Sequence, residues 1–246
     1  MFKISKRYID IFEQYIHRGE STSFTIGTLV VCGFCFLMLI VSTFTQITFS
    51  HPWFNYVPNQ GFVYALKTVA YNPQFPIMIF IIYLLYKSYS FLVYILYILC
   101  GFFLYPVFAF GGGIEYVQNY FFGYLLGFIL AIFISGNILK KDISVKSRIL
   151  AAVFGILSIH LTGVIYCVFL AIFNVIDFGL VGPIAYIVTI SKIIYDIIFA
   201  SLFLLAAPYI KNFFWVFMRP ITSNKRKLKN SRKRNQIISD NANQHG

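Results

Sequence analysis

The sequence predicts an all-α polytopic membrane protein, and three observations support that prediction. Hydrophobic residues make up 59% of the 246 residues and charged residues only 11%, whereas soluble domains average about 25% charged residues. Apolar runs long enough for membrane helices recur along the chain. Basic residues concentrate between alternate runs. The composition therefore excludes an ordinary cytosolic enzyme, a secreted disulfide framework and a disordered chain.

Six segments are predicted to cross the membrane, because each is mainly apolar and a crossing helix needs about 20 such residues. The second is the shortest, since a helix from Phe75 to Ser88 rises only about 21 Å. The last is expected to begin near Pro183, because proline suits the first turn of a helix. The six predicted spans are residues 24–46, 75–88, 90–106, 121–139, 148–174 and about 183–208.

The distribution of basic residues predicts the orientation of these spans. With six spans, eighteen of the twenty lysines and arginines fall on one side of the membrane. The opposite loops contain only Lys67, and Lys192 lies within the last span. Because basic residues accumulate on the inner side, both termini are expected to be cytoplasmic, or stromal in a plastid.

The predicted domain organisation has three parts. Residues 1–23 are expected to form an amphipathic interfacial segment, and residues 24–210 the six-helix membrane domain. Residues 211–246 comprise an aromatic interfacial run and a basic, disordered tail. Within that tail, residues 225–234 read KRKLKNSRKR. Nucleic acid and anionic lipid both suit such a segment, and its position after a membrane span favours lipid.

Three ionisable residues within the predicted spans are candidates for a site, because such residues are costly in a membrane. They are His160 in the fifth span, and Lys192 and Asp196 in the sixth. Spacing of four residues places Lys192 and Asp196 on one helix face, either as a mutual ion pair or as a ligand site. His160 is either a ligand contact or a neutral imidazole hydrogen-bonded to a neighbouring helix, and the flanking Ser158 and Thr162 could also serve as partners.

The outer loop after the third span is the second candidate region. Gly111, Gly112 and Gly113 allow positive φ angles, and the loop is expected to form a lid over a small-molecule pocket. A nucleotide loop is not expected, because no Lys-Ser/Thr pair follows the glycines. The sequence predicts no catalytic group, cofactor or metal site.

Several motifs of this chain resemble those of the BioY family, most closely its cyanobacterial type. They extend over roughly residues 73–219. The motifs are P-Q-F-P at 73–76, P-V-F-A-F-G-G-G-I-E-Y at 106–116, F-G-Y-L-L-G-F at 122–128, I-H-L-T-G at 159–163 and Y-D at 195–196.

The resemblance implies a biotin-binding S component of an energy-coupling-factor (ECF) transporter. Its partners would be a membrane coupling subunit and two ATP-binding subunits. The family's aspartate in the last helix matches Asp196, whereas Phe199 stands where many members have a lysine. Thr28 and Cys32 are the closest pair to the family's small-residue packing motif in the first span. The candidate substrate-binding residues are Asp196, Lys192, Tyr195, His160, Phe108, Gly111, Gly112, Gly113, Tyr116, Gln118 and Tyr124.

Two other functions remain open on the sequence alone. One is a membrane enzyme acting on a lipid or isoprenoid, with Asp196 or His160 catalytic. The other is an assembly protein in which the polar residues only join helices. The expected location is the plasma or inner membrane, or a plastid membrane, because heavy use of Phe, Ile, Tyr, Lys and Asn suggests an AT-rich genome.

Overall fold

The chain is a mostly helical, multi-pass membrane protein. Its structure, a computed structural model, describes residues 26–57 and 61–218. Within these residues, five helical segments are long and apolar enough to cross a membrane, judged by length and composition. They are α1 (Ile26–Phe44), α2 (Gln74–Phe103), α3 (Phe121–Lys141), α4 (Val145–Ile172) and a composite segment, Phe178–Lys211.

The chain divides into two compact units. Residues 32–214 form the larger unit, which includes Asp196 and His160. The smaller unit comprises residues 1–31 and 215–246, of which 26–31 and 215–218 are described. The predicted amphipathic segment 1–23 and the basic tail lie outside the described residues.

Helix α2 contains a reversal that joins two of the predicted spans. At Tyr86 the backbone leaves the helical region, with φ 57° and ψ −178°. Gln74 Nε2 nevertheless lies 3.0 Å from the Tyr97 hydroxyl, although 23 residues of straight helix would separate them by about 35 Å. Ser90 Oγ likewise donates to the Ile81 carbonyl at 3.2 Å. The predicted spans 75–88 and 90–106 therefore correspond to two antiparallel arms of one element, α2.

An antiparallel β-hairpin interrupts the helices, so the all-α prediction is wrong for residues 47–71. Strand β1 (Ile47–Val57) pairs with β2 (Gly61–Tyr71), and Ile47 lies opposite Tyr71. Aromatic and β-branched residues are frequent in both strands, which favours extended backbone. Beyond the hairpin, the Asn72 side chain donates to the Thr43 carbonyl and accepts from the Gln74 amide. The hairpin is thereby held against the end of α1.

The last membrane segment is longer and less regular than predicted. It begins with α5 (Phe178–Ile184), widens into a π-helix (Ala185–Ile190) and turns at Ser191 and Lys192 into α6 (Ile193–Met218). The predicted start at Pro183 is wrong, because this proline lies inside α5. The predicted end at Pro208 is also wrong, because α6 continues past it.

Arg148 explains how α6 continues through a proline. Pro208 has no backbone N–H, so the carbonyl of Leu204 loses its helical partner. Arg148 Nη1 donates to that carbonyl at 3.2 Å and to the Leu205 carbonyl at 3.4 Å. An arginine at the start of α4 therefore satisfies the backbone that the proline leaves open.

Helices α3 and α4 pack closely because small residues line their contact. A Cβ atom on Gly127 would lie 2.7 Å from the Cα and 2.9 Å from the carbonyl oxygen of Ile159. Further along, Ser135 Oγ donates to the Ala151 carbonyl at 2.7 Å. Small residues allow two membrane helices to approach in this way. The contact fixes the position of the neighbouring His160 on α4.

Candidate functional site

A buried carboxylate–imidazole pair forms the centre of the candidate site. Asp196, in the first turn of α6, and His160, in the middle of α4, are each 2% exposed. His160 Nε2 lies 3.0 Å from Asp196 Oδ2. Asp196 is therefore paired with His160, and the predicted mutual pair with Lys192 is not formed within the described residues. Ser158 and Thr162 do not bind His160, since their hydroxyls donate to carbonyls of their own helix.

The remaining polar atoms of the pair extend the network in two directions. The Tyr71 hydroxyl donates to Asp196 Oδ1 at 2.8 Å. His160 Nδ1 lies 3.2 Å from Thr189 Oγ1, which lies 3.0 Å from the Tyr124 hydroxyl. A neutral imidazole with its proton on Nε2 satisfies this arrangement, because Thr189 then donates to Nδ1 and Tyr124 donates to Thr189. Five side chains from separate elements are joined in one chain of hydrogen bonds.

The irregular backbone before α6 positions Thr189 of this network and the nearby candidate residue Lys192. Thr189 lies within the π-helix, and Lys192 lies in the turn that follows it. The Asp196 amide donates to the Lys192 carbonyl at 2.9 Å, so the two side chains are one helical turn apart. Lys192 and Tyr195 are half-buried. A π-helix in this position is consistent with function, since such segments often occur at functional sites.

Aromatic rings enclose the polar network. Phe75 stacks against Tyr124 with ring centroids 5.8 Å apart and meets the edge of His160 at 5.3 Å. On the other side, Tyr71 stacks on Phe199 with centroids 5.1 Å apart. Tyr195 contacts Phe49 of β1 edge-to-face at 4.8 Å and lies 6.5 Å from Tyr71. Aromatic rings therefore pack beside both members of the pair, with Phe75 against His160 and the Tyr71 ring next to Asp196.

The glycine loop has the positive φ angles that its sequence predicted, at two of three positions. Gly111 has φ 134° and Gly113 has φ 84°. Gly112 is required for space instead, since a Cβ there would lie 2.6 Å from Pro106 Cα. The Gly113 amide donates to the Gly101 carbonyl at 2.8 Å, which ties the loop to the end of α2.

The predicted loop residues Phe108 and Tyr116 form a cluster separate from the Asp196–His160 pair. Phe108 is fully buried and packs its ring on Tyr97 and Tyr116. Burial raises the pKa of the Tyr116 hydroxyl, which stays protonated and donates to the Ala109 carbonyl at 3.0 Å. Gln118 is exposed. Tilted ring contacts connect the loop to the site, from Phe110 through Phe121 to Tyr124.

Comparison with known proteins places the chain in a family. A sequence model of the BioY family matches residues 18–215, which is most of the chain. This chain belongs to the BioY family. The matched range includes every residue of the hydrogen-bonded network. No curated protein matches the chain.

One solved structure has the same fold as this BioY chain. It is described as the S-component for biotin from an ECF-type ABC transporter. The two chains share 18% sequence identity with a TM-score of 0.56, and the match covers 80% of this chain and all of the other. At this identity the similarity concerns the fold.

Four site residues of this BioY chain were missed in the sequence, namely Tyr71, Thr189, Phe75 and Phe49. Phe75 lies within the P-Q-F-P motif, and Thr189 is a polar residue inside an apolar span, so both carried a usable signal. Tyr71 and Phe49 carried none, because their position depends on a hairpin that membrane-span analysis does not consider. Metal binding has no support within residues 26–57 and 61–218, where no group of three His, Cys, Asp or Glu residues is arranged for it.

Proposed function

We propose that this chain is the biotin-binding S component of an ECF-type transporter. Membership of the BioY family supports this function, as does the shared fold with a biotin S component. The observation that carries it is the Asp196–His160 pair, buried beside aromatic rings in the membrane domain. No enzymatic step is proposed, because the BioY family match and the fold shared with a biotin S-component both favour a binding role.

The chemistry of biotin suits these residues. Its ureido ring offers two N–H donors and a carbonyl acceptor, and Asp196 is a strong acceptor for an N–H group. Thr189 and Tyr124 provide hydroxyl groups beside the His160 imidazole, and Phe75 provides an apolar face. We assign Lys192 to the ligand carboxylate, because it is a half-buried cation one helical turn from Asp196. Tyr195, Phe108, Gly111–Gly113, Tyr116 and Gln118 are proposed to border the outer entrance.

We expect the purified protein in detergent to bind biotin at a ratio of one to one. Lipoic acid is the matched control, since it has a carboxylate tail and a sulfur ring but no ureido group. Isothermal titration calorimetry with each compound distinguishes the two. Equal heats for both compounds, or no heat with biotin, would reject ureido recognition by this site.

The proposed topology has six crossings with both termini on the inner side. The two arms of α2 support it, because an antiparallel pair crosses twice where a straight helix crosses once. The basic inner segments support the same orientation. The membrane is proposed to be a plasma or inner membrane, or that of a plastid. The amphipathic N-terminal segment, six-helix domain and basic tail remain the proposed division of the chain.

Cysteine labelling is expected to distinguish the two sides. Val175 and Lys146 are both exposed, at opposite ends of α4, and the four native cysteines within the described residues are buried. In intact cells an impermeant thiol reagent should label Val175→Cys and leave Lys146→Cys unlabelled. Permeabilised cells provide the control, since both variants should then react. Labelling of Lys146→Cys alone in intact cells would reverse the topology.

Transport is proposed to require three further subunits. A coupling subunit in the membrane and two ATP-binding subunits would supply the energy, and the basic tail would contact anionic lipid at the inner surface. Co-purification of this chain with a membrane subunit and two ATP-binding subunits would test this assembly.

A further inference from the structure

Both carboxylate oxygens of Asp196 are already bonded by donors of the chain. Tyr71 donates to Oδ1 at 2.8 Å, and His160 approaches Oδ2 at 3.0 Å. Only 2% of Asp196 is exposed. Each oxygen could accept a second hydrogen bond, but the carboxyl is buried, so a ligand N–H group reaches it only when a side chain packed against it moves.

The two donors differ in how firmly they are held. His160 lies in the middle of a 28-residue helix, its second ring nitrogen contacts Thr189, and its ring packs on Phe75. Tyr71 is the last residue of a two-stranded hairpin. A two-stranded hairpin alone is only marginally stable, so the position of Tyr71 depends on contacts outside the hairpin, including the bond from its hydroxyl to Asp196.

We propose that Tyr71 is an internal substitute for the ligand. Its hydroxyl occupies Oδ1 of Asp196, and a ligand N–H group takes that place on binding. The assignment rests on the proposed function, in which the ligand donates a ureido N–H group to Asp196. The Tyr71 oxygen is fixed to its ring, so the ring, which packs on Phe199 and lies near Tyr195, has to shift when the ligand displaces the hydroxyl.

A competing internal donor lowers the apparent affinity for the ligand, because part of the binding energy is used to displace it. Tyr71→Phe removes the hydroxyl and keeps the ring. We expect the variant to bind biotin about tenfold more tightly. The reason is that a hydrogen bond to a charged group, such as that from Tyr71 to Asp196, is worth about 1.5 kcal/mol or more. The gain should appear in the association rate, measured by stopped-flow mixing of the full chain with biotin.

Tyr94→Phe is the matched control. Tyr94 is buried as Tyr71 is, and its ring packs on Phe128 rather than beside Asp196. Biotin affinity of this variant should equal that of the wild type. Unchanged or weaker binding by Tyr71→Phe would overturn the proposal that Tyr71 takes the place of the ligand. The hydroxyl would then have no effect on binding or would be needed in the bound protein.

A ligand-free measurement keeps this test separate from that of the proposed function. In the wild type, the Tyr71–Asp196 bond anchors the end of β2, so Tyr71→Phe should accelerate hydrogen exchange of the hairpin amides at least about threefold. Tyr94→Phe should leave that exchange unchanged. Failure of the wild type to bind biotin would reject the proposed function alone. Unaltered hairpin exchange in Tyr71→Phe would reject the anchoring of Tyr71, whatever the ligand.

Discussion

Asp196→Asn is expected to weaken biotin binding by at least about tenfold. The substitution keeps the side-chain volume but replaces a charged acceptor with an amide that has one carbonyl oxygen. Hydrogen bonds to charged groups are worth about 1.5–3 kcal/mol, and 1.4 kcal/mol corresponds to a factor of ten in Kd. The Asn side chain also presents an N–H₂ group to a partner that now bonds an oxygen, either Tyr71 or His160. Calorimetric titration with biotin measures the effect.

Asp177→Asn is the matched control for this change. Asp177 is exposed and caps α5 by accepting from the Gly179 amide at 2.7 Å. Because asparagine is as good an N-cap as aspartate, this variant should fold and bind biotin as the wild type does. Wild-type affinity in a well-folded Asp196→Asn protein would remove Asp196 from the proposed site.

Gly127→Leu is expected to destabilise the membrane domain by about 3 kcal/mol, the upper end of the usual effect of overpacking a core. Its Cβ would meet the backbone of Ile159, which cannot rotate away as a side chain can. Helices α3 and α4 would have to separate, and His160 next to Ile159 would move from Asp196. We therefore expect a lower melting temperature in detergent together with weaker biotin binding.

Gly33→Leu provides the comparison. Gly33 lies in a helix as Gly127 does, but it is exposed, and a Cβ there would have no neighbour within 4 Å. Its substitution should leave both the melting temperature and biotin binding near the wild-type values. A Gly127→Leu protein as stable as Gly33→Leu would show that α3 and α4 have room to adjust.

The sequence predicted the membrane helices and the central residues of the site for one physical reason. Backbone and charged groups are costly in a bilayer, so apolar length marks the helices and an ionisable residue within them is conspicuous. Residues 24–46, 121–139 and 148–174 correspond closely to α1, α3 and α4. Asp196 and His160 were found in the same way. Thr189 was missed although it was visible as a polar residue of the last span.

The hydrogen-bond partners of His160 and Asp196, by contrast, were decided by the tertiary structure. Ser158 and Thr162 were named as possible partners of His160, yet these hydroxyls satisfy carbonyls of α4 while His160 bonds Asp196, 36 residues away. Proximity along a helix made Lys192 one possible partner of Asp196, the alternative being a ligand site. Helix packing brought a better-placed imidazole to the carboxylate instead. Spacing along one helix does not reveal which neighbouring helix faces it.

Composition and hydropathy by themselves determined that this chain is a multi-pass, mostly helical membrane protein with an acidic and an imidazole group at depth. Only the folded chain placed Tyr71 on Asp196, Arg148 on the carbonyl that Pro208 leaves free, and Gln74 on Tyr97. Each of these contacts joins residues at least 23 positions apart across a hairpin or a helix interface. Hydropathy reports the cost of burying a residue, whereas such contacts depend on where the backbone reverses.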